Sequence, residues 1–404
     1  MDPKAFTSDR AGRIIRVPGP AGYHAFAPHP LPPELQWTPP LVSALSHADR
    51  ALAELSALAR SLPAPHLLIR PFIRQEAVLS SRIEGTRASL SDLYAYEAAT
   101  PALFEMPDDV REVHNYVTAL EHGLERIRAL PLSLRLLREI HGKLLEGVRG
   151  EHRTRGEFRR SQNWVGPPGS TPSNAPFVPP PPSEMDASLG AFEKWLHSES
   201  DLPPLVRIAL AHYQFEAIHP FLDGNGRVGR LLIIFLMCLW DLLSEPVLYL
   251  SAYFEARHQD YYDHLLAISQ RGAWEEWVAF FLEGVAAQAL DARARARRLL
   301  DLREDHRRRV QSGRTAARLL QAVDLLFARP VITIPTLVSA LHLNFPPAQR
   351  YVDQLCALGI LREVTGKARN RVYVAEEILR AVQEPLAGQA LQGADESSPE
   401  GAKP

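Results

Sequence analysis

Residues 219–230 break the chain between two apolar stretches, and that break limits what it can fold into. They read His-Pro-Phe-Leu-Asp-Gly-Asn-Gly-Arg-Val-Gly-Arg. An apolar helical pattern leads into them, and the most apolar run of the chain, 231–240, follows. Pro220 disfavours helix at the residue before it, so the first helix is expected to end near His219. Gly224 and Gly226 open backbone conformations closed to other residues. A second helix is expected over 226–242. The chain should therefore fold as helices packed around a tight polar turn, with His219 at its edge.

That turn has the parts of an anion site. Glycine-rich backbone can aim successive N–H groups at one point, and the next helix adds the positive end of its dipole. Arg227 and Arg230 are three apart and share one face of the first helical turn. Two guanidinium groups there suit a polyphosphate. Asp223 offers a hard oxygen to magnesium, which would bridge phosphates. His219 can take a proton from a hydroxyl near neutral pH. Phe221 is expected to pack inward and hold the loop around its ligand. Taken singly, these are a structural histidine, surface arginines and a simple turn. Together in one short segment they favour a nucleotide-phosphate site.

The rest of the chain bounds the setting. Its 404 residues suggest two or three domains. A hydrophobic share of 46% with 23% charged residues is that of a globular protein. The net charge of -2 gives no global attraction to nucleic acid or an anionic membrane. Cys238 and Cys356 lie far apart in apolar patterns and are expected as buried thiols, without zinc spacing. No apolar signal core opens the chain, and 231–240 is shorter than the ~20 residues that span a bilayer. A cytoplasmic location is expected.

Residues 1–45 form a proline-rich arm, ordered or loose. Residues 46–110 hold helices: Leu52, Leu55, Leu58 and Leu62 fall at helix spacing, and a second helix over about 64–83 stops at Gly85. A core over 111–290 has helices at 108–128, 132–147, 184–198, 202–217, 226–242 and 258–270. A helix over 273–310 continues into a linking segment, 291–312, whose basic run is a solvated face. Residues 154–182 are not helical; short strand-like pieces there suggest a small hairpin, and the prolines 179–182 a rigid connector. Residues 313–382 follow the order of a winged helix-turn-helix. Arg350 on its recognition helix and Lys367, Arg369 and Arg371 on its wing make DNA a candidate partner, though one arginine is sparse for a DNA-reading helix. A disordered tail is expected over 383–404.

The turn resembles the signature of the Fic family, His-Pro-Phe-x-Asp/Glu-Gly-Asn-Gly-Arg-x-x-Arg, with every specified position filled. The likeness extends over about 45–290, and bacterial Fic proteins ending in a winged helix are similar overall. The resemblance implies a mainly α fold: a Fic-type helical bundle with a small β-hairpin flap, then a winged helix-turn-helix domain. It implies transfer of AMP from ATP, with Mg2+, to Ser, Thr or Tyr hydroxyls of target proteins, and a homodimer by family habit. His219 would be the general base and Asp223 the magnesium ligand. Backbone amides at Gly224, Asn225 and Gly226 would hold phosphates, Arg227 would grip phosphate, and Arg230 would meet the γ-phosphate. Trp164, Val165 and Gly166 resemble the flap that covers the nucleotide. Tyr261 and Tyr262 resemble the adenine-side tyrosines, with Ser269 where an asparagine is frequent. Doc toxins, which phosphorylate, carry lysine in place of the second motif glycine, so Gly226 favours AMP transfer. One relative transfers phosphocholine, so the motif alone does not fix the donor.

Ser80, Glu84 and Gly85 form a second pattern. Taken alone it is a capped surface helix. It resembles the inhibitory Ser-x-x-x-Glu-Gly motif of the family, which implies that Glu84 pairs with Arg230 and keeps it from the γ-phosphate. The alternatives are removal of AMP through a water aligned by Glu84, a kinase on the same scaffold, and an ATP-sensing DNA-binding regulator.

Overall fold

The computed structural model describes residues 1–384 apart from 20–21, 62–64, 99–106, 149, 151, 153, 312–315 and 367–368. The chain opens on an antiparallel hairpin, β1 (Gly12–Val17) and β2 (Tyr23–Pro28), with Gly12 opposite Pro28 and Val17 opposite Tyr23. Prolines dominate this stretch in the sequence, and the two strands bury no alternating face that would announce a hairpin. β2 buries Ala25, Phe26 and Ala27, and the Phe26 N–H donates to Val178 O at 2.8 Å. The arm is therefore ordered and bound to the core.

Three helices follow: α1 (Pro39–Ser61), α2 (Pro65–Ile83) and α3 (Leu90–Ala98). α2 ends where expected, and Gly85 just beyond it has φ +93° with open space where a side chain would go. Glycine is needed there for its backbone, not for room. The central bundle comprises α4 (Asp108–Ile127), α5 (Leu134–Leu144), α6 (Pro182–Leu196), α7 (Pro204–Ile218) and α8 (Asn225–Leu239). α5 starts under a Ser133 cap that accepts the Leu136 N–H at 3.3 Å. Beyond Arg230, α8 is apolar on all sides; it packs against α2, α4, α5 and α7, which is why that part of its sequence lacks a polar face.

α9 (Ser251–Ala256), α10 (His258–Arg271) and the long α11 (Trp274–Val310) close the bundle, with α1 lying along α11. The last unit runs α12 (Ala316–Ala328), β3 (Val331–Thr333), α13 (Ile334–Leu341), α14 (Phe345–Ala357), β4 (Arg362–Glu363), β5 (Val372–Val374) and α15 (Glu376–Gln383). Its antiparallel sheet has the order β3-β5-β4. Thr333 and Thr336 cap each other at the start of α13. The unit rests on the N-terminal helices: α12 and α15 on α2, and β3 on α3.

The protein is mainly helical with small antiparallel sheets, as expected. The expected flap hairpin is instead a single bridge between Val165 and Phe177. Pro167, Pro168, Pro172 and Pro176 remove the amides a longer ladder would need. α3, α9 and α15 went unforeseen because each spans too few turns to show a period. Cys238 and Cys356 are unpaired as expected but half-buried, not enclosed. The tail from 385 and wing residue Lys367 lie outside the described residues. No helix among the described residues is long and apolar enough to cross a membrane.

Gly123 on α4 faces Phe235 of α8 so closely that a Cβ would stand 2.2 Å from the ring. Alanine gains at most about 1 kcal/mol of helix propensity. Overpacking costs about 1–3 kcal/mol. Gly123→Ala is therefore expected to lower the denaturation midpoint; an unchanged or raised midpoint in a urea titration would contradict this contact.

Candidate active site

α7 ends at His219 in a left-handed conformation, φ 50° and ψ 59°. A non-glycine residue there needs support from its surroundings. Arg159, buried in the loop before α6, donates Nε–H to His219 O at 2.9 Å, and its backbone N–H donates to Pro220 O at 2.9 Å. Asn163 donates Nδ2–H to His219 O at 3.2 Å and to Phe221 O at 2.7 Å. Asn225 closes the loop from the other side. Its Oδ1 accepts the Phe221 N–H and its Nδ2 donates to Phe221 O, both at 2.8 Å. Phe221 is fully buried and stacked on His141, ring centroids 3.8 Å apart. Phe221 thus holds the loop from within.

The His219 ring has a defined state. Nδ1 lies 3.2 Å from Glu216 O and donates its proton there, which leaves Nε2 as the basic nitrogen. Burial pushes the pKa down to about 4, with the Glu216 carbonyl opposing. His219 is thus neutral near pH 7.

α8 begins at Gly224, also left-handed at φ 77°, with no side-chain cap. The first N–H groups of a helix have no partner within it, so those of Asn225, Gly226 and Arg227 are available to an anion. Arg230 sits one turn on, 2% exposed. Its Nε–H donates to Ser80 Oγ at 2.8 Å; Nη2 donates to Ser80 O at 3.0 Å and to Glu84 Oε1 at 2.7 Å. Burial opposes charge on Glu84, but Arg230 and Arg227 overrule it and hold the carboxyl below the usual range. The remaining nitrogen, Nη1, is buried without a hydrogen-bond partner among the described residues. It lies beside Gly226: a Cβ there would stand 3.0 Å from Nη1 and 2.4 Å from Glu84 Oε1. Ser80 and Glu84 therefore meet Arg230, and Glu84 fills the space that Gly226 leaves.

Arg227 is buried between two carboxylates, 3.5 Å from Glu112 and 3.5 Å from Asp223. Asp223 is partly exposed at the loop edge. Among the described residues no three His, Cys, Asp or Glu side chains gather to hold a metal. Magnesium usually takes one or two carboxylates and completes its shell with phosphate and water. Asp223 fits such an ion only together with a phosphate ligand.

The other expected residues are more scattered. Val165 makes the flap bridge and Trp164 beside it is 41% exposed. A Cβ at Gly166 would lie 2.8 Å from Pro176 and 2.9 Å from Ser170, so the flap leaves little room for a side chain there. Tyr261 is enclosed, with its hydroxyl 2.7 Å from His212 Nε2 and its ring on Phe254. Tyr262 is half-buried, edge-on to His258. Ser269 is buried against the Tyr213 hydroxyl at 2.9 Å. Arg159 and His141 carry no motif and could not be picked out in the sequence. Glu216 was also missed: its Oε1 is buried without a hydrogen-bond partner among the described residues, and Oε2 lies 3.9 Å from His219 Nδ1.

A mainly helical bundle with a base at a glycine-rich helix start, gripped by a second helix through an Arg–Glu pair, defines a narrow class of proteins. Residues 42–125 match the Fic/DOC family N-terminal region, and residues 131–237 match the Fic/DOC family. The chain therefore carries a Fic/DOC family N-terminal region and a Fic/DOC family domain. It is 30% identical over 250 residues to "Protein adenylyltransferase Fic" of Drosophila willistoni, covering 59% of this chain and 45% of that one. The relative of the same name from Drosophila virilis is 32% identical over 177 residues, covering 42% and 33%. The chain thus spans less than half the length of these curated relatives. In fold it resembles the crystal structure of a Fic family protein from Desulfovibrio desulfuricans G20, with a TM-score of 0.54 and 19% identity, over 85% of this chain and 98% of that one.

Burial pushes Glu216 up to about 8, helped by Glu84 and opposed by Arg230. The folded acid thus stays protonated up to about 8, whereas the unfolded one ionises near 4.5. Its stabilising contribution is present below the unfolded value and is lost as pH rises through the folded one. Glu216→Gln is expected to gain stability over the parent as pH rises from 5 to 8, at up to about 1.4 kcal/mol per pH unit. A denaturant titration at both pH values tests this; an equal difference at both would refute it.

Proposed function

We propose that the protein transfers AMP from ATP to a Ser, Thr or Tyr hydroxyl of a target protein. The observation that carries this is the pairing of a neutral His219, basic at Nε2, with an uncapped helix start that holds the unpaired Nη1 of Arg230. The names of the matched relatives support the same reaction.

The hydroxyl oxygen attacks the α-phosphorus. The new O–P bond forms as the bond from the α-phosphorus to the pyrophosphate oxygen breaks, and pyrophosphate leaves with that electron pair. His219 Nε2 takes the hydroxyl proton. The Gly224–Gly226 amides and Arg227 hold phosphate, and Arg230 Nη1 faces the γ-phosphate. A magnesium ion at Asp223 would neutralise phosphate charge. Gly226 leaves the close approach that AMP transfer requires.

In this reading Glu84 restrains the enzyme. Its carboxylate occupies the space over Gly226 and engages Arg230 Nη2, so the triphosphate cannot take the pose for in-line attack. The unit over 313–382 is read as a winged helix-turn-helix, from its element order and β3-β5-β4 sheet. Its α14 exposes Arg350 beside Asp353, which pairs with Gln349, and this surface does not favour DNA.

The test uses ATP labelled at the α- or γ-phosphate. Glu84→Gly should place α-label on protein at least tenfold faster than the parent. Adding His219→Ala should lower transfer about 10²–10⁴-fold. Equal transfer by parent and Glu84→Gly would remove the brake from this reading, and protein-bound γ-label alone would indicate a kinase. Because burial depresses His219, its basic form persists as pH falls below the usual histidine range. Transfer by Glu84→Gly should hold down to about pH 5 and fall as pH nears 4, in a rate–pH profile.

A further inference from the structure

His141 acts on the turn from outside the motif. It lies on α5, is fully buried, and stacks on Phe221 with ring planes 10° apart. The Gly156 N–H donates to its Nδ1 at 2.9 Å, so Nδ1 is the acceptor and Nε2 carries the proton. Nε2–H therefore donates to Asp223 O at 3.1 Å. Burial pushes the ring down to about 4, against the Asp223 carbonyl, and keeps it neutral in this one tautomer near pH 7.

The consequence runs through one peptide. The bond from Asp223 to Gly224 is planar and trans, so its C=O and N–H point in opposite directions. A carbonyl fixed toward α5 fixes the Gly224 N–H away from α5. The left-handed Gly224 packs against the same ring, where a Cβ would lie 3.6 Å from His141 Cδ2. Glycine could also adopt the flipped peptide, and the flip would present an oxygen to an incoming phosphate.

We propose that His141 is a positioning residue of the phosphate site: by holding the Asp223 carbonyl it keeps the Gly224 amide turned outward as a donor to a nucleotide phosphate. The inference rests on the nucleotide reading of the turn. It makes the phosphate site depend on a side chain of α5, about eighty residues earlier in the chain.

The test measures Kd by calorimetry in the full chain carrying Glu84→Gly, with magnesium ATP and, separately, adenosine. His141→Phe keeps an aromatic ring on Phe221 but loses both the donor to Asp223 O and the acceptor of the Gly156 N–H. His141→Gln places an amide N–H near the position of Nε2, and His141→Asn near that of Nδ1. ATP affinity should fall roughly tenfold or more in the Phe variant, the effect of one lost charge-assisted hydrogen bond, with adenosine affinity unchanged. The Gln variant should recover most of the loss and the Asn variant little. Equal ATP affinity in the Phe variant and the parent overturns the proposal, as does an equal loss for adenosine. If the Phe variant does not fold, Gln and Asn variants of equal ATP affinity overturn it as well. A Glu84→Gly parent that binds no ATP overturns the nucleotide reading, and this inference with it.

Discussion

A guanidinium taken out of water must find its hydrogen bonds inside the protein, and Arg230 finds them at the end of a single helix. Three of its bonds, one from Nε and two from Nη2, reach from the second turn of α8 to Ser80 near the end of α2 and to Glu84 just beyond it. A buried charge left unpaired is strongly destabilising, typically by about 3–5 kcal/mol. The contact therefore does more than join two helices. It sets where α2 lies over the turn, and α2 in turn supports α4, α9 and the α12–α15 unit packed on it. The same stripe of α2 carries Glu76, one turn before Ser80. Burial pushes Glu76 up to about 7, while Ser251, Tyr116 and Arg230 favour its charge.

The turn shows a second way of building precision. The surface proposed to meet phosphate is largely backbone, and backbone has no side chain of its own to hold it in place. Arg159 and Asn163 fix the His219 carbonyl, Asn225 fixes both polar groups of Phe221, and His141 fixes the Asp223 carbonyl. These groups come from three separate regions of the chain. Packing of α5, α7 and α8 brings them together, so the bundle and the turn define each other.

This also explains how far the sequence could be read. Most helices were legible because their apolar spacing persists over several turns, and α2 was legible to its last residue through Gly85. His219, Gly226, Arg230 and Glu84 were legible because their chemistry is concentrated in short segments that resemble a known family, and the structure places them together. The β1–β2 hairpin was not, since its strands, set among prolines, bury no alternating face. Arg159 and His141 were not, since an arginine or histidine that bonds to backbone groups mostly far along the chain leaves no local pattern. Tyr261 shows the reverse problem. Its spacing was visible, but spacing does not tell that its hydroxyl is already committed to His212.

Gly226 joins the two halves of this picture. The volume a side chain would need there is already held by the Glu84 carboxylate. Any larger residue at 226 must expel that acid and, in the same act, crowd the start of α8. Mutation at this position thus cannot uncouple α2 from α8 and leave the turn intact. A change that frees Arg230 and spares the turn therefore falls on Glu84, the other side of the contact.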